Sequence, residues 1–227
     1  MRLLIFVVFI AIVVVGLIAW ARRAAAARVV ALRDVAARLG WGFHEEVLFS
    51  LIPNLDRFEL FRIGRRKKLR NLMTSPAGDP RAVLFEYSYT TSHGKSQQTF
   101  RQTIFFATSD TLHLPSFSLR PENFLHRIAG AFGYHDIDLA TRPEFSRMFV
   151  LRGEDEPRVR ATFTDPVAEF LEAHGGMCVA GEGRELLYWR PGRLAKPEEL
   201  DSLIGDGFEL TGRFIRSARL DAEQPSS

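Results

Sequence analysis

Apolar residues run without a charged interruption from Leu3 to Ala21, LLIFVVFIAIVVVGLIAWA. As a helix rising 1.5 Å per residue, the run covers roughly 28 Å, about the hydrocarbon thickness of a bilayer. A helix satisfies its own backbone hydrogen bonds in lipid, so one span needs no partner. Trp20 sits where an indole favours the interface. Residues 1–21 are therefore predicted as a transmembrane anchor. The rival reading is a cleaved signal peptide, since Ala19-Trp20-Ala21 fits a small-x-small cleavage pattern. The run outlasts the usual core of about 7–15 residues, however, and only Arg2 and the amino terminus precede it.

Beyond the run the pattern becomes amphipathic. In RRAAAARVVALRDVAARLG, Val29, Leu32, Val35 or Ala36, and Leu39 recur at helical spacing in an alanine-rich context, and Gly40 suits a stop. This predicts a stalk helix over 22–40. The stripe is too short for a coiled coil, so the expectation is packing on its own domain. The period then drops to two. WGFHEEVLF reads as a strand, and PNLDRFELFRIG is ambiguous. AVLFEYSYT and TFRQTIFFA alternate around a polar, glycine-containing loop, which predicts a hairpin. With its tip at His93-Gly94, Tyr87 would face Phe100 and Val83 would face Ile104. Gly94-Lys95-Ser96 is not a phosphate loop: Tyr89 stands where the earlier glycine should be, and a strand follows in place of a helix.

Further along, Pro115 marks an edge or bulge in a strand. Pro121 opens a helix carrying Phe124, Leu125, Ile128 and Phe132, ending at Gly133. FSRMFVLRGEDEPRVRATF reads as strand, acidic turn, strand. Asp165-Pro166 starts a helix that Gly175-Gly176 ends. MCVAGEGRELLYWRPG is a second hairpin around Gly181-Glu182-Gly183. KPEELDSLIGDGFELTGRFIRSARL is a helix that Gly205, Gly207 and Gly212 could break. The sum is an α+β domain over 41–220: a mostly antiparallel sheet with helices on one face, built from two strand–strand–helix halves, with a frayed tail at 221–227.

Composition adds three constraints. The 19 phenylalanines predict an aromatic core. The net charge of +3 is too small to signal nucleic acid by itself. The single cysteine, Cys178, excludes an intramolecular disulfide, and its strand context predicts a buried, inert thiol, not a catalytic one. Charge distribution says more than total charge. Arg22, Arg23, Arg28 and Arg33 follow the span, while Arg2 and the amine precede it, so the C-terminal domain is expected on the cytoplasmic side of the inner membrane. The densest cluster is Arg62, Arg65, Arg66, Lys67, Lys68 and Arg70. It reads either as a solvated strand edge or as a contact for anionic lipid headgroups near the anchor. No stacking platform or helix-turn-helix accompanies it, which argues against nucleic acid.

Candidate chemistry is sparse. His44, His93, His113, His126, His135 and His174 show no metal-ligand spacing, and neither a nucleophile elbow nor a dinucleotide fingerprint is present. The turn Gly-Glu154-Asp155-Glu156-Pro offers no octahedral oxygen set. His135 with Asp136, Asp138 and Glu154 is the one constellation a hydrolase could use. No cofactor, metal or catalytic residue is assigned. Pro143-Glu144-Phe145, Glu154-Asp155-Glu156, Val159-Arg160 and the helix after Thr164 together resemble part of a family of uncharacterised bacterial membrane-anchored proteins, over Arg142 to Glu172. Arg142 departs from the acidic residue expected there. The resemblance implies a membrane-associated α+β protein and supplies no activity. The expected role is a membrane-anchored interaction or scaffold domain with an unknown protein partner. The alternatives are an anionic-lipid-binding module and a hydrolase.

Overall fold

The apolar run and the amphipathic stretch form one uninterrupted helix in the computed structural model, which describes residues 2–93, 96–125 and 136–223. This helix, α1 (Arg2–Leu39), is about 57 Å long at 1.5 Å per residue. From Phe6 to Trp20 its side chains are exposed; it is the one helix among the described residues long and apolar enough to cross a membrane. Its C-terminal part behaves differently. Leu32, Val35 and Ala36 are buried against the domain, with Leu39 packed beside them, so the stalk docks on its own domain. Gly40 at φ 68° stops the helix, and the Trp41 N–H donates to the Ala36 carbonyl, turning the chain into the sheet.

Eight strands form one antiparallel sheet: β1 (Gly42–Val47), β2 (Arg65–Thr74), β3 (Arg81–His93), β4 (Ser96–Thr108), β5 (Leu114–Pro121), β6 (Phe149–Gly153), β7 (Cys178–Gly183) and β8 (Glu185–Trp189), in the order β1-β2-β3-β4-β8-β7-β5-β6. The first four are a meander. The β7–β8 hairpin then joins β4 to β5. Alternation along each strand sorts apolar residues to both faces. One face meets the C-terminal part of α1 together with α4 (Pro143–Met148), α5 (Glu156–Thr162), α6 (Asp165–Ala173) and α7 (Leu200–Glu223), around Phe117, Phe145, Phe163 and Phe214. The other face is covered by the segment between β1 and β2, which contains two 3₁₀ turns and the short α2 (Glu59–Arg62). There Phe61, Tyr87, Tyr89 and Phe100 follow one another with centroids 4.7, 5.5 and 5.2 Å apart. This is the aromatic core the phenylalanine count predicts. The α+β class with a mostly antiparallel sheet holds; the added feature is that both faces are covered.

Several local expectations need correction. The β3–β4 hairpin pairs Tyr89 with Phe100 and Phe85 with Ile104, while Tyr87 faces Gln102 and Val83 faces Phe106. The predicted pairs are off by two residues because the last rung is His93–Ser96, which puts the tip at 94–95, outside the described residues. A shift of two leaves every side chain on its predicted face. The segment after the acidic turn is helix α5, not a strand. The Asp155 carboxylate accepts from the Arg158 N–H, Pro157 lies in the first turn, and Glu156 pairs with Arg160 at 2.6 Å. Pro143-Glu144-Phe145 likewise opens helix α4, and only from Phe149 does the chain become a strand. The bulge expected at Pro115 is present between Leu114 and Phe117. The helix predicted from Pro121 is described only as α3 (Glu122–Leu125); Ile128, Phe132 and Gly133 lie outside the described residues.

Helix α7 runs unbroken through its three glycines. Gly207 explains its own presence: a Cβ there would lie 2.4 Å from the Phe105 ring, so glycine lets α7 lie close on β4. Gly205 faces open space. Gly207→Ala should therefore destabilise the protein by about 1–3 kcal/mol through overpacking, whereas Gly205→Ala should stabilise it by up to about 1 kcal/mol through helix propensity. Urea unfolding of the detergent-solubilised chain checks the opposite signs.

Candidate functional site

The stalk is held by a polar clasp as well as by its apolar stripe. Arg28 Nε donates to Glu86 Oε1 at 2.7 Å, and an Arg28 terminal nitrogen donates to the Ala195 carbonyl at 2.7 Å. The second Glu86 oxygen accepts from the Asn71 amide at 2.8 Å. Arg28 and Glu86 are 24% and 14% exposed, so water screens this pair little and losing one partner would strand the other. Asn71 reaches Glu86 from a backbone at φ 52°, next to a register shift in β2. At the far end of the stalk, Arg38 forks Asp201 of α7 at 2.8 and 3.2 Å.

Just N-terminal to the clasp, α1 and the sheet separate around a cavity of about 660 Å³, lined by Ala24, Ala25 and Arg28 of the stalk and by Glu45, Glu46, Lys68, Arg70, Ser88 and Arg101 of the strands. Two rungs cross its floor. One is Glu46–Arg70–Glu86, and the next is Lys68–Ser88–Arg101. Arg70 stands beside both glutamates of its rung. The Lys68–Ser88–Arg101 rung carries two exposed cations and no carboxylate.

The basic cluster does not lie on one face. Lys68 and Arg70 flank buried Leu69 and point to the stalk side of the sheet. Lys67 turns the other way and donates to the carbonyls of Phe61 and Arg62, closing the end of α2. Arg65 donates to the Ser92 hydroxyl at 2.6 Å. Arg66 is exposed with φ 55°. Arg62 borders a pocket on the opposite face, where Arg120 pairs with Glu59 at 2.6 Å. The end of α2 at Arg62, the strand pleat and the irregularity between Arg65 and Lys68 divide the six residues. Arg101, the cation completing the stalk-side rung, is missing from the sequence reading. Its signal was present: Arg101 lies on the face opposite Phe100 and Gln102, the same face as Ser88.

The proposed hydrolytic group is described only in part. His135 lies outside the described residues. Asp136, Asp138 and Glu154 are all exposed, and Asp136 accepts from the Leu151 N–H, splicing the incoming chain to β6. Partial burial, reinforced by Asp138, raises the Asp136 pKa. No group of three His, Cys, Asp or Glu side chains among the described residues could hold a metal ion. Cys178 is fully buried, and burial pushes its thiol up to about 12, so it is not a nucleophile.

A second cavity of about 370 Å³, not anticipated from sequence, lies between β8 and the start of α7, with Tyr188, Arg190, Ser202 and Asp206 on its walls. His174 stacks on Phe170, its Nδ1 hydrogen-bonds the Phe170 carbonyl at 2.7 Å, and its Nε2 faces Asp206 at 3.7 Å. The Phe170 carbonyl thus fixes the ring through Nδ1, while Nε2 lies beyond hydrogen-bond reach of Asp206. Arg142, the departure from the resembled pattern, also has a structural task. It reaches Glu172 at 2.6 Å and Glu169 at 3.3 Å, tying the start of α4 to α6.

No protein-family model and no curated protein matches the chain. Among solved structures, it is similar to the crystal structure of the mycobacterial trehalose monomycolate transport factor A, TtfA. The TM-score is 0.56 at 10% identity, covering 86% of this chain and 96% of that one. At this identity the likeness is one of fold.

Burial raises the Asp206 pKa, against the opposing influence of His174. A carboxyl whose folded value is raised favours the folded state while protonated and loses that contribution as pH climbs through the folded value. Asp206→Asn should therefore match the parent in melting temperature at low pH and exceed it at pH 8. Thermal melts across that range check this; an Asn variant that melts lower at pH 8 contradicts it.

Proposed function

We propose that the protein is a single-pass, membrane-anchored interaction domain, held on the cytoplasmic side of the inner membrane, that serves as an accessory to membrane-embedded machinery. The observation that carries this reading is the continuity of α1 from an exposed apolar run into a stretch clasped to the sheet by Leu32, Val35, Ala36 and the Arg28–Glu86 pair. A flexible linker would merely keep a domain near the membrane. A continuous, docked helix fixes which face the domain turns to the bilayer and which it offers to partners.

Three further points support it. The arginines after the span, Arg22 and Arg23 above all, favour retention of that end in the cytoplasm. Asp136 is spent on the Leu151 N–H and His174 Nδ1 on the Phe170 carbonyl, structural tasks that favour interaction over hydrolysis. The structural neighbour is named a transport factor, a role compatible with an accessory domain.

The test is a pair of reporters fused after Ser227 of the full chain, one active only outside the cytoplasm and one active only inside. Activity of the inside reporter alone is expected, and the reverse pattern would refute the orientation. Photo-crosslinking of the same chain in cells should then recover a membrane protein in a defined ratio. A chain that crosslinks to nothing at native expression would contradict the accessory role.

A further inference from the structure

The folded domain hides its large apolar side chains with one concentrated exception. Outside the apolar run, the exposed ones among the described residues are Val30 on the stalk and three neighbours in a single loop: Leu48 at 71%, Phe49 at 39% and Leu51 at 57% exposure. This loop follows β1 directly, and a 3₁₀ turn over Phe49–Leu51 shapes it. Phe49 is propped edge-on against Tyr87, centroids 6.3 Å apart, so the loop has a fixed seat on the sheet.

The loop lies toward the membrane end of the molecule. Strand β1 runs back along α1: Arg33 sits over Phe43 at 5.4 Å and reaches Glu45 at 3.8 Å, while Arg28 meets Glu86 on the rung of Glu46. The next stalk-side rung, Lys68–Ser88–Arg101, lies two residues further, roughly 7 Å. Four residues of α1 from Arg28 to Ala24 cover about 6 Å, and Ala24 lines the cavity above that rung. Val47 pairs with Leu69, so Leu48 comes one step beyond, level with Lys68. Exposed apolar residues and unpaired cations thus share a level about one helical turn past Ala21, where the apolar run ends.

We propose that this edge of the domain is a second membrane contact: Leu48, Phe49 and Leu51 insert into the leaflet beside the protein's own span, while Lys68 and Arg101 bind anionic lipid headgroups. The inference rests on the anchored reading, but not on which side of the membrane the domain faces. Apolar and basic side chains at one edge are the combination that interfacial binding requires; here Phe49 seats on Tyr87 on one face of the sheet, Lys68 and Arg101 emerge on the stalk face, and the two sets meet at the same end of the strands. The acidic residues nearby are engaged, Glu86 with Arg28 and Glu45 with Arg33, and Glu46 stands beside Arg70. Arg22 and Arg23 on the stalk add positive charge at the same depth. The β3–β4 hairpin continues roughly 17 Å past the Ser88 rung and is polar at Ser92, Ser96, Gln97 and Gln98. Seating this edge at the headgroups therefore requires the strands to slant along the leaflet, so that the polar hairpin stays out of the hydrocarbon.

The full chain reconstituted in lipid nanodiscs tests this. An environment-sensitive fluorophore is placed at Leu48→Cys, with a control at Gly205→Cys near the far end of the stalk. Cys178 stays unlabelled while the protein is folded, which verifies each variant. In discs containing phosphatidylglycerol, the label at 48 should shift to the blue and be quenched by lipids carrying shallow spin labels, while the control is not. K68Q/R101Q should move the equilibrium between seated and lifted states by roughly thirtyfold, as should replacement of the anionic lipid by phosphatidylcholine. A label at 48 that stays in water in both discs overturns the proposal and leaves the loop to a protein partner. Equal insertion in both discs, unchanged by K68Q/R101Q, overturns the headgroup assignment. Reporter orientation is a separate readout, so failure here is distinguishable from failure of the proposed function.

Discussion

Everything about this molecule's placement depends on the junction where a lipid-soluble helix becomes part of a water-soluble core. One face of α1 changes character within a few turns. Upstream of Ala21 it is apolar all round and exposed; downstream it presents Leu32, Val35 and Ala36 to the sheet. The Arg28–Glu86–Asn71 clasp lies between these two regimes. The apolar stripe supplies most of the docking energy, since each large side chain removed from water is worth about 1.5–3 kcal/mol. The clasp contributes direction, because a partly buried guanidinium gripping one carboxylate and one carbonyl tolerates little rotation of the helix about its axis.

The antiparallel sheet decides where charge can gather. A pleat sends neighbours to opposite faces, so a dense run of basic residues along one strand becomes two separate populations. Lys67 is consumed in closing α2, and Lys68 and Arg70 emerge under the stalk. Cross-strand register then builds a new pair, Lys68 with Arg101, from residues far apart in sequence. The same meander carries Leu48 to that level. Charge density along a sequence is thus a poor guide to charge density in space for a strand, and a better one for a helix.

Much of the fold was legible because its signals are local. The apolar run, the stalk stripe, both hairpins and the Asp165-Pro166 helix start follow from periodicity and end-residue chemistry. Errors arose where two local signals competed. The segment from Glu156 to Thr162 alternates like a strand, but Asp155 caps it and Pro157 starts it, and the cap prevailed. In α7, propensity argued for a break at the glycines, yet packing of Gly207 on Phe105 kept the helix whole. The hairpin tip moved by one residue because loop length, not side-chain pairing, sets it. The candidate site was half legible: Lys68 and Arg70 are in the run, but Arg101 and the exposed Leu48–Leu51 loop acquire meaning only from register.

Whether the anchor and the domain move as one body is the decisive question. Spin labels at Ala26→Cys and Gly205→Cys, with the buried Cys178 left untouched, report the distance between stalk and α7 by pulsed electron resonance in nanodiscs. A single narrow distance that broadens when Arg28→Ala is added is the expected result. A broad distribution in the parent chain, unchanged by that substitution, would mean that the helix merely tethers the domain.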